Sequence, residues 1–298
     1  MNLSKYSATL GIAVTLALTV VSCSDDETKS KEQQAYDAAS VVNGARLYDK
    51  FWADETDYIS PNSGSVNQAD IEEYGEFYRC KTCHGWDQKG TSGSYINRGP
   101  TTTRPNVSPA TLVAVKNDPI RELFDEIKQV GGALVSPSRT ADGANTSLGG
   151  DNMPDYSLIL NDNQIWDLVK FLREGAFDTE QLYTISATGT YPSGSRTFSD
   201  IGKDGNAALG ETFFASNCAS CHGQNGRDDG AGNILSINSD IGLSMGQFAR
   251  TKPYELQHKA RFGNLGSSPE MLGVNDATLN DIKNLLKALS NSTKYPNL

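Results

Sequence analysis

Two copies of Cys-x-x-Cys-His, Cys80-Lys81-Thr82-Cys83-His84 and Cys218-Ala219-Ser220-Cys221-His222, constrain this 298-residue chain more than any other feature. The chain has five cysteines and three histidines. The motifs absorb all but Cys23 and His258, so nothing is left over from which to build a disulfide. The two pairs lie far apart in sequence, whereas zinc ribbons bring their pairs close together and need no histidine directly after each. A thioredoxin-like redox pair would need a βαβ context, which is absent.

Two thiols one short turn apart are spaced to form thioethers with the two vinyl groups of a single haem, and the adjacent histidine then offers its imidazole to the iron. Covalent attachment of this kind takes place outside the bacterial cytoplasm, and the N-terminus agrees. Lys5 supplies positive charge, Ala8 to Val21 is almost wholly apolar but short for a membrane span, and small residues close the segment at Cys23. Residues 1–22 resemble a bacterial lipoprotein signal, cleaved so that Cys23 carries lipid. Val20 departs from the usual leucine of that signal, and the run Ser24 to Glu27 is similar to an acidic export tag of surface lipoproteins. The expected location is the cell envelope of a Gram-negative bacterium, with the protein lipid-anchored on the periplasmic side or the outer surface.

Residues 23–35 are polar without apolar periodicity and are expected to form a flexible tether. Apolar spacing from Tyr36 to Phe51 predicts one helix, and a second run from Ala69 to Arg79 leads into the first motif, with a turn at Pro61 to Gly64 between them. Further helices are predicted at Ile120 to Val130 and Asn163 to Glu174, the latter with Asp162 as N-cap. From Thr179 to Gly205 the helical period vanishes, which marks a linker holding a short hairpin. The plan then recurs in compressed form, with helices at Ala207 to Ser216, Tyr254 to Phe262 and Asp276 to Ser290. Matching Asn161-Asp162-Asn163-Gln164-Ile165 to Asn275-Asp276-Ala277-Thr278-Leu279 gives an internal repeat. The expected division is therefore 36–178 and 206–298 as two domains of one type, joined by 179–205.

On these motifs both halves resemble class I cytochrome c domains, a resemblance that covers nearly everything after the tether. It implies an all-α fold of two tandem cytochrome c-like helical domains and two covalent haem c groups. In that family a methionine shortly before the last helix is the second axial ligand. Met153-Pro154 stands just ahead of the Asp162 helix, and Met271 stands just ahead of Asp276, whereas Met245 is far upstream of it. The implied ligand pairs are His84 with Met153 and His222 with Met271. His258 reads as a solvated surface residue, with axial ligation in place of Met271 as its alternative. Trp86, Trp166, Phe171, Phe213, Phe214 and Phe262 read as haem-pocket lining. Arg261 is a conceivable partner for a propionate but is kept out of the site.

Two departures from the family stand out. Its ligand histidine usually donates its second ring nitrogen to a proline carbonyl; Pro100 and Pro105 are available to His84, but no proline lies between His222 and Pro253. The first half also carries an insertion, including the Gly-, Asn- and Asp-rich stretch Asp142 to Asn152, read as a surface loop in preference to a docking loop or calcium site.

The resemblance implies a membrane-tethered carrier that passes single electrons between a dehydrogenase and a terminal oxidase or reductase. A dihaem enzyme, peroxidase-like or thiosulfate dehydrogenase-like, is the alternative; it needs a vacant or unusually ligated iron, and no spare cysteine exists for that. A haem-based sensor would need an output domain, and none is present. The formal charge of −10 argues against nucleic acid as a partner and favours a basic docking patch on a redox partner.

Overall fold

The computed structural model describes residues 29–53, 69, 71–72, 75–101, 103–129, 153–227, 242–264 and 271–298. The signal segment, Cys23, the Pro61 turn and the Asp142 to Asn152 loop lie outside the described residues. The fold is all-α apart from one small hairpin.

Helix α1 spans Lys31–Ala38 and α2 spans Val41–Lys50. The single helix predicted from Tyr36 to Phe51 is thus two, because Ser40 is extended and its hydroxyl accepts from Asn43 N. Helix α1 also begins inside the expected tether, with Ser30 as its cap and the Tyr36 hydroxyl donating to Glu174 at 2.6 Å. The first motif forms α3, Cys80–His84, and is followed by α4, Ile120–Lys128, and α5, Asp162–Lys170. A π-helical turn, Phe171–Gly175, closes this half. Of the run predicted to precede the motif, the described end is a 3-10 turn, Gly75–Phe77.

Strands β1 (Thr184–Thr188) and β2 (Ser195–Ser199) pair antiparallel, with Thr184 opposite Ser199 and Thr188 opposite Ser195, so the expected hairpin is present. The second half contains α6 (Ala207–Asn217), α7 (Ala219–His222), α8 (Met245–Thr251), α9 (Pro253–Phe262) and α10 (Leu279–Leu289). Among the described residues no helix is long and apolar enough to cross a membrane.

The two halves repeat at the level of individual contacts. In the first, α2 crosses α5 at Gly44, where a Cβ would lie 2.0 Å from the Asp167 carbonyl oxygen; in the second, α6 crosses α10 at Gly210, where a Cβ would lie 1.9 Å from the Asn284 oxygen. Only glycine permits so close a backbone approach. The cap residue N–H also reaches across each crossing, from Ser40 to Asp167 Oδ1 at 2.6 Å and from Asn206 to Asn284 Oδ1 at 2.7 Å.

These contacts correct the internal alignment. The closing helices are both opened by capping boxes, Asn161 with Gln164 and Thr278 with Asp281, so Asn161 corresponds to Thr278 and not to Asn275. The cap of α5 is likewise Asn161, one residue before the predicted Asp162, because Gln164 returns a hydrogen bond to the Asn161 N–H.

Two apolar cores result, and they exchange residues. Phe262 of the second half packs into the first core, whereas Trp86, Tyr95 and Val107 of the first half pack into the second. Helix α9 is the main fastener. Its Gln257 amide donates to the Trp86 carbonyl at 3.3 Å, and Arg261 donates to the Gly175 carbonyl at 2.7 Å. The hairpin region adds Tyr191, whose hydroxyl accepts from Val107 N at 3.1 Å. The segment read as a linker is therefore fixed to the first half.

Candidate haem sites

The first motif is held at both ends. Ahead of it, Arg79 donates through Nε to the Asp49 carbonyl at 2.6 Å and pairs with the carboxylates of Asp49 and Glu76, which ties the motif to the end of α2. Behind it, Gly85 adopts a left-handed φ of 77° and its carbonyl accepts from the Tyr48 hydroxyl at 2.7 Å. Thr82 inside the motif donates to Glu76 at 3.0 Å, and Ser108 N donates to the Cys83 carbonyl at 2.8 Å. A buried Asp87 just beyond accepts from Ser94 N at 2.6 Å and shapes the following loop.

Met153 is half-buried against the same core as Cys80. Three residues on, Tyr156 opens a 3-10 turn, donates to the Tyr78 carbonyl at 2.8 Å and brings its oxygen to 4.0 Å from the Cys80 sulfur. The methionine segment is thereby fastened against the motif by a residue whose role the sequence did not reveal.

In the second half Cys218 caps the end of α6, its N–H donating to the Phe214 carbonyl at 2.8 Å, and His222 N donates to the Cys218 carbonyl at 3.0 Å. Gly223 ends the motif in the left-handed region. The Met271 backbone pairs with Asn264 just past α9, accepting from Asn264 N at 2.9 Å, and Val274 N returns to the Ala260 carbonyl at 2.9 Å. The rival, Met245, is core: it opens α8 and is only 4% exposed.

These residues fit a covalently held haem. All four motif cysteines are free thiols. Burial pushes Cys80 and Cys218 up to about 11, so both thiols are held protonated before reaction. Each motif histidine has a buried Nδ1 without a hydrogen-bond partner among the described residues, and burial pushes His84 down to about 4 and His222 down as well. Each is a neutral imidazole, the form that an axial ligand requires, although its Nδ1 lacks the carbonyl partner such a ligand usually has. His84 Nδ1 makes no hydrogen bond to the carbonyl of Pro100 or Pro105.

One expectation about a neighbouring residue is corrected. His258 is not at the surface: it is 2% exposed, hydrogen-bonded to the Ala45 main chain, with its ring 4.7 Å from Trp86, 5.0 Å from Phe262 and 5.7 Å from Phe171. Burial first, then Arg261 and Lys259, push it down to about 3 against the pull of Asp49. Arg261 stacks 3.6 Å over Phe177 and serves the seam between the halves. Phe262 and Trp86 each pack into the core opposite to the half that carries them in sequence, because α9 crosses over.

A small helical domain that opens and closes on crossed helices, with Cys-x-x-Cys-His directly behind the first of them or on the turn beyond it, defines the class of covalent haem carriers. The cytochrome c family model matches residues 74–176 and 207–290, which contain both motifs together with Met153 and Met271. The chain belongs to the cytochrome c family, which carries covalently bound haem c and transfers electrons through it. No curated protein and no solved structure matches the chain.

Proposed function

We propose that this protein is a dihaem electron carrier with one haem c on Cys80 and Cys83, ligated by His84 and Met153, and a second on Cys218 and Cys221, ligated by His222 and Met271. The observation that carries this reading is the duplication: each half has its own crossed-helix frame, two free thiols and a neutral, buried imidazole, and in the first half Met153 packs against the same core as Cys80. A haem so held supplies a one-electron couple, and thioether ligation raises its potential relative to two histidines. Two axial ligands on each iron leave no open position for substrate, which favours a carrier over a peroxidase-like or thiosulfate dehydrogenase-like enzyme.

Lipid on Cys23 would hold the carrier at the envelope membrane, where it takes electrons from a dehydrogenase and gives them to a terminal oxidase or reductase. The shared cores and the α9 fastener support a fixed separation of the two haem sites, so that transfer between them needs no domain motion. The test is the intact mass and redox titration of purified holoprotein. Two haem adducts are expected, and Met153→Ala should abolish one methionine-to-iron charge-transfer band and lower the potential of one haem alone. A single adduct, or a Met153→Ala protein with both bands intact, would refute the assignment.

A further inference from the structure

A cleft of 730 Å³ opens between the two halves, a size typical of small-molecule sites. Its charge opposes that of the whole protein: among the described residues eight lysine and arginine side chains face it against three carboxylates, in a chain whose formal charge is −10. The carboxylates are already saturated. Glu76 is shared among Arg79, Lys81 and Arg98; burial alone would raise it, but these three cations bring it down to about 2. Glu255 is shared between Lys252 at 3.8 Å and Lys259 at 3.5 Å, and Asp49 is committed to Arg79.

The remaining cations are held by neutral groups. Arg104 donates through Nε to the Gly99 carbonyl at 3.1 Å, and Arg196 of β2 donates to the Tyr254 hydroxyl at 2.9 Å; neither has a carboxylate in salt-bridge range among the described residues. Aromatic faces position several of the others. Arg98 lies 4.6 Å over Tyr95, Arg196 5.2 Å over Tyr254, and Lys81 and Lys259 lie 5.5 and 5.8 Å from the Trp86 ring. Arg104, ordered by a carbonyl, and Arg196, ordered by a hydroxyl and a ring, keep their charge available, whereas Arg98, Lys81 and Lys259 share theirs with Glu76 or Glu255. Burial and then neighbouring Arg98 hold Arg104 below its ordinary value, as expected for a cation lacking a counter-ion.

We propose that this cleft is a binding site for a small, multiply charged anion, a polycarboxylate or oxyanion, seated between Arg104 and Arg196 and bridging the two halves. Residues from α3, the loop after it, β2 and α9 all contribute, so the site exists only in the assembled molecule. Because Lys81 belongs to the first motif, an anion bound there would sit beside the first haem site.

The test uses full-length holoprotein of verified haem content, titrated calorimetrically with citrate and with pyrophosphate at fixed ionic strength. At least one probe should bind saturably with one site per chain. Arg104→Gln and Arg196→Gln should each weaken that binding by about tenfold or more, and Lys116→Gln, which removes an exposed lysine outside the cleft, should leave it unchanged. Absence of saturable binding in the wild-type holoprotein overturns the proposal whether or not the variants fold, as does equal weakening by Lys116→Gln. If wild type binds neither probe while Arg104→Gln shifts the potential of one haem, the cations serve a haem's own propionates and the free-anion site is refuted. None of these results bears on the haem count, which the mass measurement decides separately.

Discussion

His258 makes the stability of this protein depend on pH in a way that one substitution can isolate. Its imidazole is sealed between the halves among Tyr48, Trp86, Phe171 and Phe262, and its value falls from 6.5 in the free side chain to about 3 in the fold. The folded state thus keeps the ring neutral where the unfolded chain protonates it. Stability is complete above the unfolded value and is lost progressively as pH falls from there toward the folded value. Each unit of pH in that window costs about 1.4 kcal/mol, so the loss at about pH 5 relative to about pH 7.5 is about 2 kcal/mol. Complete protonation would cost about 5 kcal/mol, a large share of the stability of an ordinary domain. The assay is guanidinium unfolding of holoprotein followed by far-UV circular dichroism at both pH values, for wild type and for His258→Gln, whose amide can still donate to Ala45. Covalent haem stays attached throughout, and carboxylates and the motif histidines contribute equally to both proteins. Wild type should therefore lose about 2 kcal/mol more than the variant between the two conditions. Equal losses, or a folded-state ring titrating near its free value, would refute the reasoning.

The helix crossings offer a sign test. Gly210→Ala should gain about 1 kcal/mol in helix propensity, yet its Cβ would meet the Asn284 oxygen at 1.9 Å, so net destabilisation by about 1–3 kcal/mol and a lower Tm are expected; a raised Tm would show that the helices do not approach so closely. Tyr156→Phe removes the bond to the Tyr78 carbonyl and should cost about 1–2 kcal/mol by chemical denaturation. An unchanged midpoint would separate the Met153 segment from the motif. Arg261→Met should cost about 2 kcal/mol by losing the Gly175 hydrogen bond and the Phe177 stack. Calorimetry should then show a less cooperative transition than in wild type, because one of the bonds that couple the halves is gone; an equally sharp transition would show that Gln257 and the shared cores suffice.

Which features could be read in advance follows from the range of the forces involved. Local ones were legible: the motif spacing, the closing helix of each half and the hairpin between Thr184 and Ser199 depend on residues a few positions apart. Capping was legible only in part, since Asp162 and Asn161 are both competent caps and the choice rests on the Gln164 side chain returning to Asn161. The break at Ser40 was hidden because the apolar period runs through it. Helix α8 was missed because its sequence, Met245 to Thr251, is short and weakly periodic.

By itself the sequence determined the chemistry: thiols and imidazoles at a spacing that suits one cofactor, repeated once. Only the tertiary structure decided how the two halves relate. His258 and Arg261 look like surface residues because a short polar helix gives no local sign of being buried on every side. Their burial comes from α9 crossing into the first half, through contacts between residues 86 and 171 positions apart, and the cationic cleft arises from the same crossing. Periodicity records which face of an element is apolar; it does not record which distant element will cover it, and that is fixed only when the chain packs.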